Sequence, residues 1–532
     1  MPRLARRRSL GPDDGSPGPV FFDVLGLGMV SLPWWAAVAT NLATGLAVVV
    51  LVVRDVEVWS KKLELEARLC WTAVVLFLLA EVLALVLAVA LCCLLAAVLG
   101  VLGLTMAWYS RPGLLVLLYA SPSAAALLLL LHKVKILLQS RAGGKLPEEF
   151  LQICCQHSGH LLLLLPCLLL TLAGVRSSFL LTITLLSTLT WRLVTSLLHS
   201  PRSWCSYLLL QLLLLLPLSL WSYITQLLLT IFLPIMGRRG PAGNPDIILG
   251  AGVASLTLLL LHPLLPVLVA IRRQGFLRLL LLLSLLTGLL PLLLGWGFPY
   301  SACPLHPAPQ RLSVYHVRRE VGGRVEAGYL VGRWDHHWSR RLEHQVAAYS
   351  SALPVAEEEC RRLLGCGLPL HRVRLQDGGG ALWINTSVPL PRLAVATVAR
   401  EVGREGVVGG GTNITLELRG PNLVQLLLCP EEGVRLTAWS LGEQQPKGRG
   451  EWWGRQVYHV QLVRGLGAGV QRMWLQLEGP QSSEGKLVTV SVAGHHTSGE
   501  GRAGPGLEEL EASHPPWVSL AAWTVDYRLE AF

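Results

Sequence analysis

Two patterns divide the chain. Long apolar runs dominate the first three hundred positions, at roughly 33–53, 70–103, 114–138, 157–175, 178–198, 204–236, 246–271 and 276–298. A membrane-crossing helix needs about 20 such residues, so each run predicts a span. Those at 70–103 and 204–236 exceed what one span needs, which predicts tilting, extension past the bilayer or folding back. From about residue 303 the period changes to two. In "NITLELRG" Ile414, Leu416 and Leu418 face one way, and Thr415, Glu417 and Arg419 the other. "WTVDYRLEAF" and "KLVTVSVAG" alternate similarly, and "VQLLLCP", "VRLTAWSLG", "VYHVQLVRG" and "QRMWLQLEG" read as further strands between Gly and Pro turns. The predicted fold is a polytopic α-helical bundle followed by an antiparallel β-sandwich-like domain, each sheet buried on one face. Its expected parts are a basic Gly- and Pro-rich tail over 1–19, a bundle over 20–299 and a β-rich domain over 300–532.

Composition agrees with this division. Of 532 residues 52% are apolar and 15% charged, against about a quarter charged in soluble domains. The net charge of +11 sits almost wholly in the membrane half, where 21 Lys and Arg face 11 Asp and Glu; beyond residue 299 the numbers are 24 and 23. Basic residues between spans anchor cytosolic loops, so the excess argues for lipid rather than nucleic acid as its partner.

Loop charge also predicts orientation. Links after the first, third, fifth and seventh runs carry 13 basic residues: Arg54, Lys61, Lys62, Arg68, Lys133, Lys135, Arg141, Lys145, Arg192, Arg202, Arg272, Arg273 and Arg278. The alternate links hold Arg111, Arg176, Arg238 and Arg239. The bias places the first set in the cytosol and the carboxyl-terminal domain on the other side. Sequons at Asn385 and Asn413 fall on that side, where glycosylation takes place. Arg3, Arg6, Arg7 and Arg8 run against the scheme. Eight spans put the amino terminus outside the cytosol, so either a span is miscounted or these residues are not the native start; the second is expected.

Ionisable residues within spans are candidate functional groups. Glu81, Arg192 and His262 qualify. Their plainer reading makes Glu81 a contact between helices and lets Arg192 snorkel to the cytosolic interface. A transporter would show more such groups or internal repeats. In the β-rich half "CRRLLGC" offers a local disulfide between Cys360 and Cys366, with Cys303 and Cys429 left as a conceivable second pair. The membrane-half cysteines read as apolar filler.

"RWDHHW", Arg333 to Trp338, places a carboxylate beside two imidazoles, the ligand types zinc prefers. A zinc enzyme needs three convergent ligands and a general base, and adjacent residues diverge in strand or loop. "GHHTSGE" repeats the doublet at His495 and His496, and Glu357 to Glu359 adjoin Cys360. "HExxH" is absent. Both doublets are expected to be solvated turns, with no catalytic residue, metal ligand or cofactor on this chain.

A series of segments nevertheless resembles the endoplasmic reticulum metallopeptidase 1 (Felix-ina) family: "VFFDVLGL" from Val20, "WYS" at Trp108, "PIMGRRG" and "NPDIILG" from Pro234, "FPYS" at Phe298, the Cys360–Cys366 region, "TAWSLG" at Thr437, and "VTVSVAGHHTSGE" through the terminal "PPWVSLAAWTVDYRLEAF". The spacing in "CRRLLGC" is one residue shorter than the family's. The resemblance implies a multi-pass endoplasmic reticulum membrane protein, with a lumenal zinc aminopeptidase-like domain before the spans and a lumenal cap after them. It also implies that every zinc ligand and the general base would precede "VFFDVLGL", so none transfers to a position of this chain. The expected role is a non-catalytic binding or scaffold form with a lumenal or membrane protein partner. The alternatives are part of an active zinc metallopeptidase and a polytopic transporter.

Overall fold

The structure, a computed structural model, describes residues 19–64, 66–143, 146–197, 204–238, 243–271, 273–338, 340–369, 381–388, 390, 397–403, 411–442, 445–448, 450–465, 469–480 and 485–532. The basic stretch at residues 1–18 lies outside them, as do Lys145, Arg202, Arg239 and Arg272. Two compact units emerge, one ending at Pro299 and the other running from Tyr300 to Phe532, with Gly237–Gly243 grouped with the second.

The first unit opens with a hairpin of β1 (Val20–Val24) and β2 (Gly28–Leu32), which the apolar runs did not suggest. Among the described residues nine α-helices follow: α1 (Trp34–Leu63), α2 (Ala67–Val101), α3 (Ser121–Arg141), α4 (Glu148–Leu172), α5 (Phe179–Leu197), α6 (Trp204–Gly237), α7 (Pro245–Leu261), α8 (Leu265–Ala270) and α9 (Gln274–Pro291). Among the described residues they supply eight helical segments long and apolar enough to cross a membrane, the seventh built from α7, a 3₁₀ turn at His262–Leu264 and α8. On α2 small side chains recur every fourth position: Ala80, Ala84, Ala88, Cys92 and Ala96, all buried. In lipid, helices associate through close packing rather than hydrophobic collapse, and this stripe lets α3, α4 and α7 approach α2.

Two helices differ from the expected runs. The first continues past Val53 through Arg54, Asp55 and Glu57, and the fourth begins at Glu148, nine residues before its apolar run. Both extensions carry polar residues turned into the protein, which hydropathy treats as loop.

The second unit stacks two sheets. β3 (Gln310–Val321), β4 (Arg324–Arg333), β5 (Leu353–Pro354), β6 (Leu382–Asn385), β9 (Leu423–Pro430), β11 (Gly450–Trp452), β12 (Arg455–Val463), β14 (Val488–His496) and β15 (Val518–Ala531) form one of nine strands, in the order β11-β12-β9-β14-β15-β3-β4-β6-β5. β7 (Thr397–Gly403), β8 (Thr412–Arg419), β10 (Arg435–Trp439) and β13 (Gln471–Glu478) form the other, in the order β10-β13-β8-β7. Ile414, Leu416 and Leu418 of β8 and Leu475 of β13 meet Leu426 and Leu428 of β9 and Val490 and Val492 of β14, which makes the assembly sandwich-like.

Three details correct the sequence-based picture. β15 pairs with β3 in parallel, so the larger sheet is mixed rather than purely antiparallel. Around β15 that sheet is also covered on both faces. Val525 and Tyr527 are buried on one side, while Thr524 and Asp526 are buried on the other. There Thr524 donates to the Gly501 carbonyl, and Leu507 and Leu510 of α12 (Pro505–Ala512) pack over Leu312 and Ala522. Finally, Cys360, in α11 (Glu357–Arg362), which follows the short α10 (Arg340–Gln345), is disulfide-bonded to Cys366, whereas Cys303 is exposed, Cys429 is buried, and neither forms a disulfide. A pairing of the last two is excluded.

Candidate functional site

The most unusual chemistry lies inside the bundle. Asp55 of α1 is buried, and its carboxylate gathers three partners. Arg192 of α5 donates from Nε at 2.9 Å and places Nη2 at 2.8 Å from Oδ2; Arg54 Nη2 reaches Oδ1 at 3.0 Å; His157 Nε2 of α4 stands 3.2 Å from Oδ2. Arg192 therefore does not snorkel to an interface. It is buried and spent on Asp55. A charged residue at the centre of a lone transmembrane helix costs about 2.5–3.5 kcal/mol on insertion scales, a cost that pairing across α1 and α5 offsets.

A second set surrounds Glu81 of α2, also buried. Ser158 Oγ donates to its Oε1 at 2.5 Å, and His262 Nδ1 lies 3.8 Å from its Oε2. His262 Nε2 meets the Gly159 carbonyl oxygen at 2.7 Å. Position 159 suits glycine because a Cβ there would stand 2.9 Å from Leu265 Cδ1 and 3.0 Å from His262 Nε2. The 3₁₀ turn before α8 aims His262 at α4.

Between the sets stand His160 and Thr188, with His160 Nε2 at 2.9 Å from Thr188 Oγ1. The rings of His157 and His160, three positions apart on α4, are 6.0 Å apart. His160, His262, Gln156 and Thr188, with Pro263 and Pro266, line a cavity of about 10 Å³. On α5 the threonines 182, 184, 188 and 195 share the buried face with Arg192. At the far end Asn41 of α1 donates to Thr171 and Ser178 at 2.8 and 3.1 Å and accepts from Thr182 at 2.5 Å. Asn41 and Asp55 are fourteen positions apart, about 21 Å along α1, so the polar column runs through much of the bilayer's ~30 Å core.

Sequence reading named Glu81, Arg192 and His262 but missed Asp55, His157, Ser158 and His160. The usable signal was "CCQHSGH", whose polar residues recur at helical spacing just before an apolar run.

In the β-rich unit "RWDHHW" fastens structure together. Asp335 Oδ2 accepts from the Arg311 backbone N–H at 2.7 Å, the Trp334 indole donates to Ser313 at 3.2 Å, and the His337 carbonyl accepts from Tyr300 at 2.6 Å. Burial pushes the Asp335 carboxyl up to about 6 and lowers His337. The second doublet is not a solvated turn. His495 and His496 end β14, His495 is fully buried, and its Nδ1 accepts from the Trp523 indole at 3.0 Å. Zinc does not fit these groups: among the described residues no three His, Cys, Asp or Glu side chains converge as ligands, and Asp335 Oδ2 and His495 Nδ1 already accept hydrogens. Of the sequons, Asn385 is exposed at the end of β6, with Oδ1 accepting from the Trp383 indole at 2.7 Å. Asn413 is half-buried in β8 between Gly403 and Gln476 of the adjoining strands.

Two measurements follow from these geometries. Removing one partner of a buried ion pair leaves the other uncompensated, so Asp55→Asn and Arg192→Gln are each expected to destabilise the bundle by about 3–5 kcal/mol, and the double variant by less than their sum; unfolding in mixed detergent checks this. For Asp335, a folded pKa above the unfolded value near 3.9 means the folded state holds the extra proton, so its contribution to stability falls as pH rises from about 4 to about 6. Scanning calorimetry of wild type against Asp335→Asn should show their stability difference shrinking over that interval in the sense that wild type loses.

Comparison with known proteins places both halves. The family model described as "Endoplasmic reticulum metallopeptidase 1, TM domain" matches residues 69–292, which hold Glu81, His157, His160, Arg192 and His262; the one described as "Endoplasmic reticulum metallopeptidase 1, C-terminal domain" matches residues 307–529. Endoplasmic reticulum metallopeptidase 1 of Homo sapiens is 26% identical over 325 residues, 58% of this chain and 34% of that protein, and the Mus musculus protein is 26% identical over 321, again 58% and 34%. Putative endoplasmic reticulum metallopeptidase 1-A of Caenorhabditis elegans is 25% identical over 303 residues, 53% of this chain and 32% of that one. The matches thus span about a third of these curated relatives' length. With a multi-pass bundle joined to a two-sheet domain and a match to the family in each, the chain belongs to the endoplasmic reticulum metallopeptidase 1 family.

Proposed function

We propose that these residues form a binding or scaffold element of the endoplasmic reticulum membrane that performs no peptide hydrolysis by itself, with the β-rich domain in the lumen. The observation that carries the reading is where the family matches fall: on the bundle and on the sandwich. The zinc-type side chains of the sandwich, Asp335 and His495, are already engaged in holding strands together. A binding role suits a broad two-sheet domain tethered to a bundle, and a lumenal or membrane protein is the partner class it implies. The second reading, that the native protein is a longer and active zinc metallopeptidase, is favoured by the one-third coverage of the relatives. Zinc chemistry would then belong to residues other than these.

The lumenal placement is supported by the bias of basic residues between the loop sets, twelve to four once the buried Arg192 is set aside, and by the two sequons. Exposed Asn385 is the better glycan acceptor, because a sugar there displaces no strand packing.

The 532-residue chain, purified from membranes, is expected to bind no stoichiometric zinc and to show no aminopeptidase turnover; either one overturns the proposal, and the intact mass of the native protein separates the two readings. An endoglycosidase mobility shift on the cellular protein is expected to shrink more with Asn385→Gln than with Asn413→Gln, and its absence in the wild type would contradict the lumenal placement.

A further inference from the structure

Hydrogen-bond accounting fixes the tautomers of three buried histidines. The Gly159 carbonyl can only accept, so His262 Nε2 carries a hydrogen. The Asp55 carboxylate accepts from Arg192 and Arg54, so His157 Nε2 is a donor too. The Thr188 hydroxyl is directed to the Thr184 and Leu185 carbonyls, at 3.1 and 3.0 Å, so its oxygen accepts from His160 Nε2. Each ring then keeps Nδ1 as a basic lone pair. Among the described residues Nδ1 of His157 and of His160 is buried with no hydrogen-bond partner, and Nδ1 of His262 faces Glu81 Oε2, which is itself buried and accepts no hydrogen bond from them. Unspent acceptors in a lipid-enclosed interior are costly, which makes three of them around one carboxyl group a feature needing a role.

Glu81 supplies the missing proton. Among the described residues no lysine or arginine pairs with it. Ser158 is within reach of both Glu81 Oε1 and the Cys155 carbonyl, at 2.5 and 2.7 Å, and its single hydrogen serves only one at a time. The set avoids an uncompensated charge when it holds one proton, either on the carboxyl or on His262 opposite a carboxylate.

We propose that Glu81, His262, His160 and His157 form an intramembrane proton-transfer chain ending at Asp55. In the forward step the Glu81 O–H bond breaks and an N–H bond forms at His262 Nδ1, leaving a carboxylate opposite an imidazolium. The cavity that His262 and His160 both line is about the size of one water. An N–H bond of the His262 imidazolium breaks as an O–H bond forms on that water, the water's own O–H breaks as an N–H forms at His160 Nδ1, and that N–H breaks in turn as one forms at His157 Nδ1. There the Asp55 carboxylate opposes the imidazolium, and half-exposed Arg54 beside it marks the way to the surface. Glu81 is reprotonated along the same path. The other titratable groups facing this interior are the buried thiols of Cys70 from α2 and of Cys154 and Cys155 from α4, together with Arg192 from α5. Chains of Asp, Glu and His inside bundles are the usual means by which membrane proteins move protons.

Infrared spectroscopy of the full chain in lipid bilayers tests this. The wild type is expected to show a carboxylic-acid carbonyl band at neutral pH that shifts on exchange into D₂O. That band is lost in Glu81→Gln and kept in Asp246→Asn, which removes another buried carboxyl group of the bundle, one that accepts from the Trp108 indole and the Met106 N–H. In His160→Leu it persists but no longer exchanges on the wild-type timescale. Absence of an exchangeable acid band in the wild type overturns the proposal whether or not Glu81→Gln folds, and so does its survival in Glu81→Gln or undiminished exchange in His160→Leu.

Discussion

A charge inside a bilayer has to find its counter-charge within the protein, and this bundle depends on one such meeting, Arg192 against Asp55. Their pairing joins α1 to α5, and His157 brings in α4 through the same carboxylate. Away from the polar column these helices present mostly leucine and valine, whose packing in lipid has little directional preference. The charge pair and the Asn41–Thr182 contact, about 21 Å apart, set both register and rotation of α1 against its neighbours. A buried ion pair adds little net stability compared with apolar packing, so specifying one arrangement is its better-supported contribution.

That constraint explains which parts of the fold were legible. Leucine-rich stretches announce spans because twenty consecutive apolar residues have few other destinations. The limits of α1 and α4 were hidden, because Asp55 and "CCQHSGH" look like loop until their partners are known. Glu81 and Arg192 stood out by type alone. Their roles depended on Ser158 and Asp55, which are 77 and 137 positions away in sequence. No local pattern carries information at that separation.

In the β-rich domain alternation revealed β8 and β13, each buried on the face the period predicts, whereas β9 and β14 are buried on both faces. β15 misled because a parallel neighbour and α12 bury its polar face as well, so Thr524 and Asp526 sit as deep as Val525 and Tyr527. The histidine doublet on β14 was mistaken for a turn for the same reason: a buried imidazole bonded to an indole carries no sequence mark that distinguishes it from an exposed one. The motif that most suggested zinc, "RWDHHW", proves to be a clasp between a strand end and the loops around it.

The polar column holds together only while Arg192 points into the bundle. A cryo-electron microscopy structure of the full chain in lipid nanodiscs decides that most directly. The account predicts the Arg192 guanidinium within 4 Å of the Asp55 carboxylate, with His157 on the same oxygen. Density for Arg192 reaching the headgroup layer, with Asp55 facing elsewhere, would contradict it.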